Sequence, residues 1–194
     1  MDTLGIHGII RLYALPAEWT DEQFRSWWCP ETDAAGNILR PARISDEAKQ
    51  SRLIGAPVEN IITNTGIALL LTNMAVAGQG MMNPFFQILS VGNGTATGVA
   101  RTDISVQGDG FASGARKAPA SYTVSGFTTT IVTNYASGDG VGAWTNIGIY
   151  GYNTSSVQAA TTTTGTGALM THALFSFTKG ASAIAVDYAL TLSN

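Results

Sequence analysis

The sequence predicts a mainly β fold, an antiparallel β-sandwich or jelly roll with a short α-helical N-terminal extension. Three observations lead there. Ile184, Val186, Tyr188, Leu190 and Leu192 alternate with Ala183, Ala185, Asp187, Ala189 and Thr191, the period-two signature of a strand. Runs rich in Thr, Val and Ile recur after residue 85, each bounded by Gly, Asp or Asn. No helical period separates those runs, which favours antiparallel pairing over a parallel α/β sheet.

The elements follow in order. His7 to Tyr13 reads as a short strand. Thr20 with Gln23 three residues on forms a capping box, and Asp21 and Glu22 suit the positive end of a helix that runs to Trp28 and stops before Pro30. Residues 31–41 read as a loop, and a second helix starts at Ser45 and ends before Gly55 and Pro57. Asn60 to Met74 reads as a helix with Ile67, Leu70, Leu71 and Met74 on one face. Phe85 to Val91, Ser121 to Val124, Thr128 to Tyr135, Trp144 to Tyr152 and Leu169 to Lys179 read as strands. Turn signals lie between them at Gly108-Asp109-Gly110, Ser137-Gly138-Asp139-Gly140, Asn153-Thr154-Ser155-Ser156 and Gly165-Thr166-Gly167.

Charge divides the chain. Residues 1–60 hold 9 acidic and 6 basic residues, 15 of the 23 in the chain; the other 134 residues hold 8. The expected organisation is therefore a charged N-terminal arm over residues 1–58 and a Gly/Thr/Ala-rich β domain over 59–194. Charged residues make up 12% of the chain, about half the usual share, so a surface of Thr, Ser, Asn and Gly partly covered by neighbours is expected. The net charge of -3 and the lack of a basic stripe leave no footprint for nucleic acid. No secretory leader is expected, and the apolar stretch from Ile67 to Ala77 is too short to span a bilayer.

Residues that could carry chemistry are few. Cys29, the single cysteine, cannot form an internal disulfide and reads as a small buried apolar residue. His7 and His172 lie 165 residues apart with no metal-ligand spacing, and His172 is expected to point outward. Gly92-Asn93-Gly94-Thr95-Ala96-Thr97-Gly98 has a dinucleotide-loop composition, but no helical pattern follows it. Asp103, Asp109, Asp139 and Asp187 are the only acids after residue 60. A hydrolase would need two of them facing across a cleft. Asx turns are the expected role of Asp109 and Asp139, with a calcium site as the alternative. No cofactor or metal is expected, and no catalytic residue is assigned. Trp19, Trp27 and Trp28 are candidate interface anchors, with packing inside the chain as the equal alternative.

One resemblance bears on function. Asn60-Ile61-Ile62-Thr63-Asn64-Thr65-Gly66 precedes the apolar helix; Ile88-Leu89-Ser90-Val91-Gly92-Asn93-Gly94-Thr95-Ala96 and Thr102-Asp103 follow. Then come Trp144-Thr145-Asn146-Ile147-Gly148-Ile149-Tyr150, Ala173-Leu174-Phe175-Ser176-Phe177-Thr178-Lys179-Gly180 and the closing strand. Across residues 58–194 this order resembles small virion structural proteins of tailed bacteriophages. It departs from them in lacking a Glu just before Gly148, and the N-terminal part has no counterpart there. The resemblance implies a non-enzymatic capsid decoration or cement protein, or a tail, baseplate or fibre component. Such a protein is made in the host cytoplasm and located in the virion. Its partners would be copies of itself, as a trimer or ring that satisfies open strand edges, and other virion proteins, with neither membrane nor nucleic acid. A jelly-roll module binding host-surface glycan is the alternative, with Trp144, Tyr150 and Tyr152 as ligand-facing aromatics.

Overall fold

The alternation at the C-terminus does form a strand, and it lies at the centre of a sheet. A computed structural model describes residues 5–75, 85–95, 98–152 and 159–193. In chain order the elements are β1 (Gly5–Ala14), α1 (Asp21–Trp28), β2 (Glu31–Thr32), β3 (Ile38–Arg40), α2 (Asp46–Gln50), β4 (Val58–Ile62), α3 (Asn64–Ala75), β5 (Ile88–Gly92), β6 (Arg116–Lys117), β7 (Ser121–Ser125), β8 (Thr128–Tyr135), β9 (Gly142–Gly151), β10 (Ala168–Lys179) and β11 (Ile184–Ser193). The fold is mainly β and every strand pairing described is antiparallel.

The chain divides into two compact units. The first comprises residues 1–59, 119–138 and 181–194. The charged N-terminal helices share this unit with three strands from later in the chain. β11 is flanked by β1, in register from Gly5 opposite Ser193 to Ala14 opposite Ile184, and by β8, from Ile184 opposite Tyr135 to Thr191 opposite Thr128. β8 turns back to β7 through a two-residue loop, Gly126-Phe127, in which Gly126 takes φ +56° as a tight hairpin demands. The expected loop at 31–41 is a small ribbon, β2 with β3. It lies along the edge of β7, where Val124 N–H donates to the Gly36 carbonyl and Tyr122 Oη to that of Ala34.

Helix α1 begins as its sequence dictates. The Thr20 side chain accepts from Gln23 N–H at 3.2 Å, and the Gln23 side chain accepts from Thr20 N–H at 2.8 Å. Phe24 and Trp28, one turn apart, form its buried face. They join Tyr13, Leu15, Val132, Ala183 and Ala185 in a core bordered by Trp19 and Cys29. The Ala183–Ala185 side of β11 is therefore buried, as is the Ile184–Val186–Tyr188 side.

The second unit comprises residues 60–118 and 139–180. Its strand order is β6-β5-β9-β10-β4. The helix expected from Asn60 begins later: residues 60–62 complete β4, with Ile62 opposite Thr171 and Ile61 opposite His172. The chain turns at Thr63, whose hydroxyl donates to the Leu169 carbonyl at 2.6 Å and accepts from Gly66 N–H at 3.0 Å, which starts α3. Gly66 has no room for a side chain, because a Cβ there would enter the Met170 carbonyl oxygen. Of the expected apolar face, Leu70 is buried and Ile67 half-buried; the side chains of Leu71 and Met74 lie outside the described residues. So do the turn at 153–156 and residues 96 and 97 of the glycine loop. No helix follows that loop among the described residues, which removes the dinucleotide-site geometry.

Strand β10 forms as expected but with an irregular register. Its register against β9 shifts between Leu169 and Thr171 and again between Leu174 and Phe177. Met170, Thr171, His172 and Ala173 are buried in succession, so both sides of the strand are covered there. His172 is accordingly buried, not turned outward.

Candidate functional site

The second unit holds only seven of the eight charged residues found after residue 60, and most are tied into internal bonds. The first group surrounds His172. Asn146 on β9 accepts from Gln107 N–H through Oδ1 at 2.7 Å and donates from Nδ2 to the Gln107 carbonyl at 2.9 Å. These two bonds fix the amide orientation. Its oxygen then lies 3.1 Å from Nε2 of His172, so that nitrogen donates. Nδ1 lies 2.6 Å from Asp103 Oδ2. Partial burial would raise the Asp103 carboxyl, but the Ala100 N–H and the His172 ring outweigh it and hold the group below the usual carboxylate range. Both ring nitrogens therefore face side-chain oxygens of the chain itself, Asp103 on one side and Asn146 on the other, and the ring is held between them.

The second group centres on Arg116 of β6, whose side chain is almost wholly buried. Nη1 meets Asp109 Oδ2 at 2.6 Å, Nε donates to the Thr161 carbonyl at 3.0 Å, and Nη2 donates to the Thr166 carbonyl at 2.9 Å. The guanidinium stacks over Tyr150 at 4.3 Å from the ring centroid. Asp109 Oδ1 also takes a short hydrogen bond from the buried Ser90 hydroxyl. Tyr150 Oη accepts from Val106 N–H at 2.8 Å, and burial together with the nearby Asp109 charge pushes the phenol up to about 12. The flanking glycines, Gly108 and Gly110, adopt positive φ, as the turn reading requires. The carboxylate itself bridges strands instead of closing an Asx turn. An Asx turn does form at Asp33, which accepts from Ala35 and Asn37 N–H, both at 2.9 Å.

Asp139 likewise forms an ion pair, with Lys117 Nζ at 2.7 Å. Lys179 is buried, which lowers its ammonium against the opposing pull of Asp139. In the first unit Asp187 sits deep in the core and accepts from Trp28 Nε1 at 3.3 Å. Burial raises its carboxyl despite Lys49, the Trp28 bond and Arg11. Lys49 lies over the Trp28 ring at 5.1 Å. Each of the four acids is thus engaged by a donor of its own, and no group of three His, Cys, Asp or Glu close enough to hold a metal occurs among the described residues.

The aromatic expectations need correction. Trp144 is 1% exposed: its indole N–H donates to the Gly140 carbonyl at 2.6 Å, and its ring packs on Phe175 and Phe177. Tyr150 is buried beneath Arg116. Neither faces a ligand, because the bulge in β10 and the Arg116 cluster enclose them; Tyr152 is half-buried. Trp28 is wholly buried, edge-on to Tyr13 and Trp19, so it anchors the fold and not a partner. Trp19 lies half-buried against it, and Trp27, the residue before it on α1, is exposed. His7 is also exposed.

Sequence reasoning missed Asn146, Arg116, Ser90 and the His172–Asp103 contact. One signal was present: residues 61–194 hold four acids and four bases, which is the composition of a set of internal pairs. It also missed the two most exposed large apolar residues among the described residues, Ile104 (83%) and Phe127 (79%). No described helix is long and apolar enough to cross a membrane. Comparison with protein-family models, curated proteins and solved structures finds no match to this chain.

Proposed function

We propose that the protein is a non-enzymatic structural component of a bacteriophage virion. In this reading it acts by subunit packing, as a capsid decoration or cement protein or as part of a tail or fibre, and its sheets belong to a sandwich of the jelly-roll type. The observation that carries the proposal is the way large apolar side chains are presented on clamped turns. Phe127 occupies the two-residue β7–β8 turn, where its carbonyl accepts from Leu192 N–H at 3.0 Å and the Thr128 and Thr191 hydroxyls bond at 2.8 Å. Ile104 follows Asp103, whose carboxylate is bound to His172. An apolar residue held in place loses little freedom on docking, which is how a small contact becomes a strong anchor. The carboxylates and the buried histidine, by contrast, are engaged in holding the chain together.

A trimer or ring built through these residues would bury them and leave the ion pairs of Arg116 and Lys117 inside each subunit. The direct test is mass spectrometry and labelling of purified virions from cells that express the gene. Incorporation at a copy number matching a capsid or tail symmetry supports the proposal. Full expression with no incorporation into particles refutes it.

A further inference from the structure

The first unit carries a concave feature whose lining includes neither Phe127 nor Ile104. Segments 22–43 and 119–122 enclose an open groove of about 880 Å³, near the upper end of the ~300–1,000 Å³ range of ligand sites. Its walls include Pro30, Pro41 and Pro119, half of the chain's six prolines, together with Tyr122. Proline lacks an N–H and its ring fixes φ, so these three wall positions are stiff and apolar. Arg25, Arg40 and Arg43 converge on the same groove, against Glu22 and Glu31. That is a local excess of positive charge in a chain of net charge -3.

The three guanidiniums differ in their engagement. Arg40 is paired with Glu31 at 3.5 Å in an exposed contact, which solvent keeps weak. Arg25 gives one of its donors to the Ala120 carbonyl at 2.8 Å, which holds the side chain across the groove. Arg43 is exposed and forms no ion pair among the described residues.

The geometry points to this groove as the docking site for an extended peptide with spaced carboxylates, contributed by a partner protein. Charge complementarity selects the carboxylates, since the planar guanidinium fork matches a carboxylate in two parallel bonds. The two glutamates in the wall, and the negative chain as a whole, disfavour a continuous polyphosphate such as nucleic acid. The β2–β3 ribbon bonds to the β7 edge through Gly36, so an incoming segment is read through side chains and not by strand addition. This inference does not draw on the proposed subunit contacts and stands whether or not the protein enters a virion.

Cys29, the only thiol in the chain, lines the same groove and reports its occupancy. Burial raises the thiol, outweighing the Ser121 hydroxyl and the Arg25 charge, so labelling is slow and well suited to a rate measurement at mildly alkaline pH. Maleimide labelling of the full chain is followed alone, with an eight-residue peptide alternating Glu and Ala, with its Gln counterpart, and with oligophosphate. The Glu peptide is expected to slow labelling roughly tenfold at saturation while the Gln peptide leaves it unchanged. An Arg40→Ala/Arg43→Ala variant should label at the unprotected rate with or without peptide. The inference is overturned by equal protection from Glu and Gln peptides, by no protection, by stronger protection from oligophosphate, or by protection that survives the double substitution. It is also overturned if labelling slows with protein concentration alone, since the occupant is then a second copy.

Discussion

Replacing Arg116 with Met removes a buried charge that bonds Asp109, Thr161 and Thr166 while nearly preserving its volume. The loss can be scaled from the structure. The Arg116 and Asp109 side chains are 1% and 12% exposed, and the bond between them is 2.6 Å long. Removing one partner of such a pair leaves the other without its counter-charge, at about 3–5 kcal/mol. The Thr161 and Thr166 carbonyls also lose donors, and Tyr150 loses its cation. For a chain of this size roughly 2–4 °C of melting temperature accompanies each kcal/mol, so Arg116→Met should lower the midpoint by about 6–20 °C. The chain supplies its own control. Arg40 and Glu31 are 81% and 58% exposed at 3.5 Å, and Arg40→Met should cost less than about 1 kcal/mol. Differential scanning fluorimetry of both variants beside the parent gives the comparison. If Arg116→Met loses no more than Arg40→Met, the view that sparse charges act as internal fasteners is wrong.

Further predictions concern other groups. Asp187 has a folded-state carboxyl raised by burial, so its ionisation costs stability as pH rises from the ordinary carboxylate value through the raised one. Asp187→Asn keeps an acceptor for Trp28, and its melting temperature should gain on the parent as pH rises from 4 to 8; a constant offset across that range would contradict the assignment. His172→Ala removes the ring nitrogens facing Asp103 and Asn146. It should destabilise by about 2–4 kcal/mol in urea titrations, combining lost packing with buried acceptors left unpaired. Because Asp103 is held low by its partners, the parent keeps this contribution above the ordinary carboxylate range and loses it as pH falls below. That acid sensitivity should be reduced in the His172→Ala variant. Gly66→Ala, usually favourable in a helix, should instead destabilise by roughly 1–3 kcal/mol, because the new methyl meets the Met170 carbonyl oxygen; an unchanged midpoint would show that α3 can shift.

Much of the local structure was legible. The capping box at Thr20 and Gln23 is written in neighbouring residues, and it formed as read. So did β8 at Thr128–Tyr135 and the alternation of β11, whose period is local. What failed depended on contacts distant in sequence. Residues 60–62 are apolar enough for a helix, and it is pairing with Thr171 and His172 that makes them a strand. Trp144 and Tyr150 lie among strand residues that could face either way; the bulges of β10 and the guanidinium of Arg116 decide their burial. His172 shows the same limit, since no local pattern announces Asp103 and Asn146 as its partners. The charge boundary near residue 58 likewise carries no information on packing, which is set by Phe24 and Trp28 against Val132 and Ala185.

Light scattering on the purified 20.3 kDa chain at micromolar concentration tests the central claim most directly. The proposal expects a closed oligomer, a trimer foremost, that Phe127→Asp or Ile104→Asp converts to folded monomer. A parent protein that stays monomeric, or an oligomer indifferent to both substitutions, would contradict it.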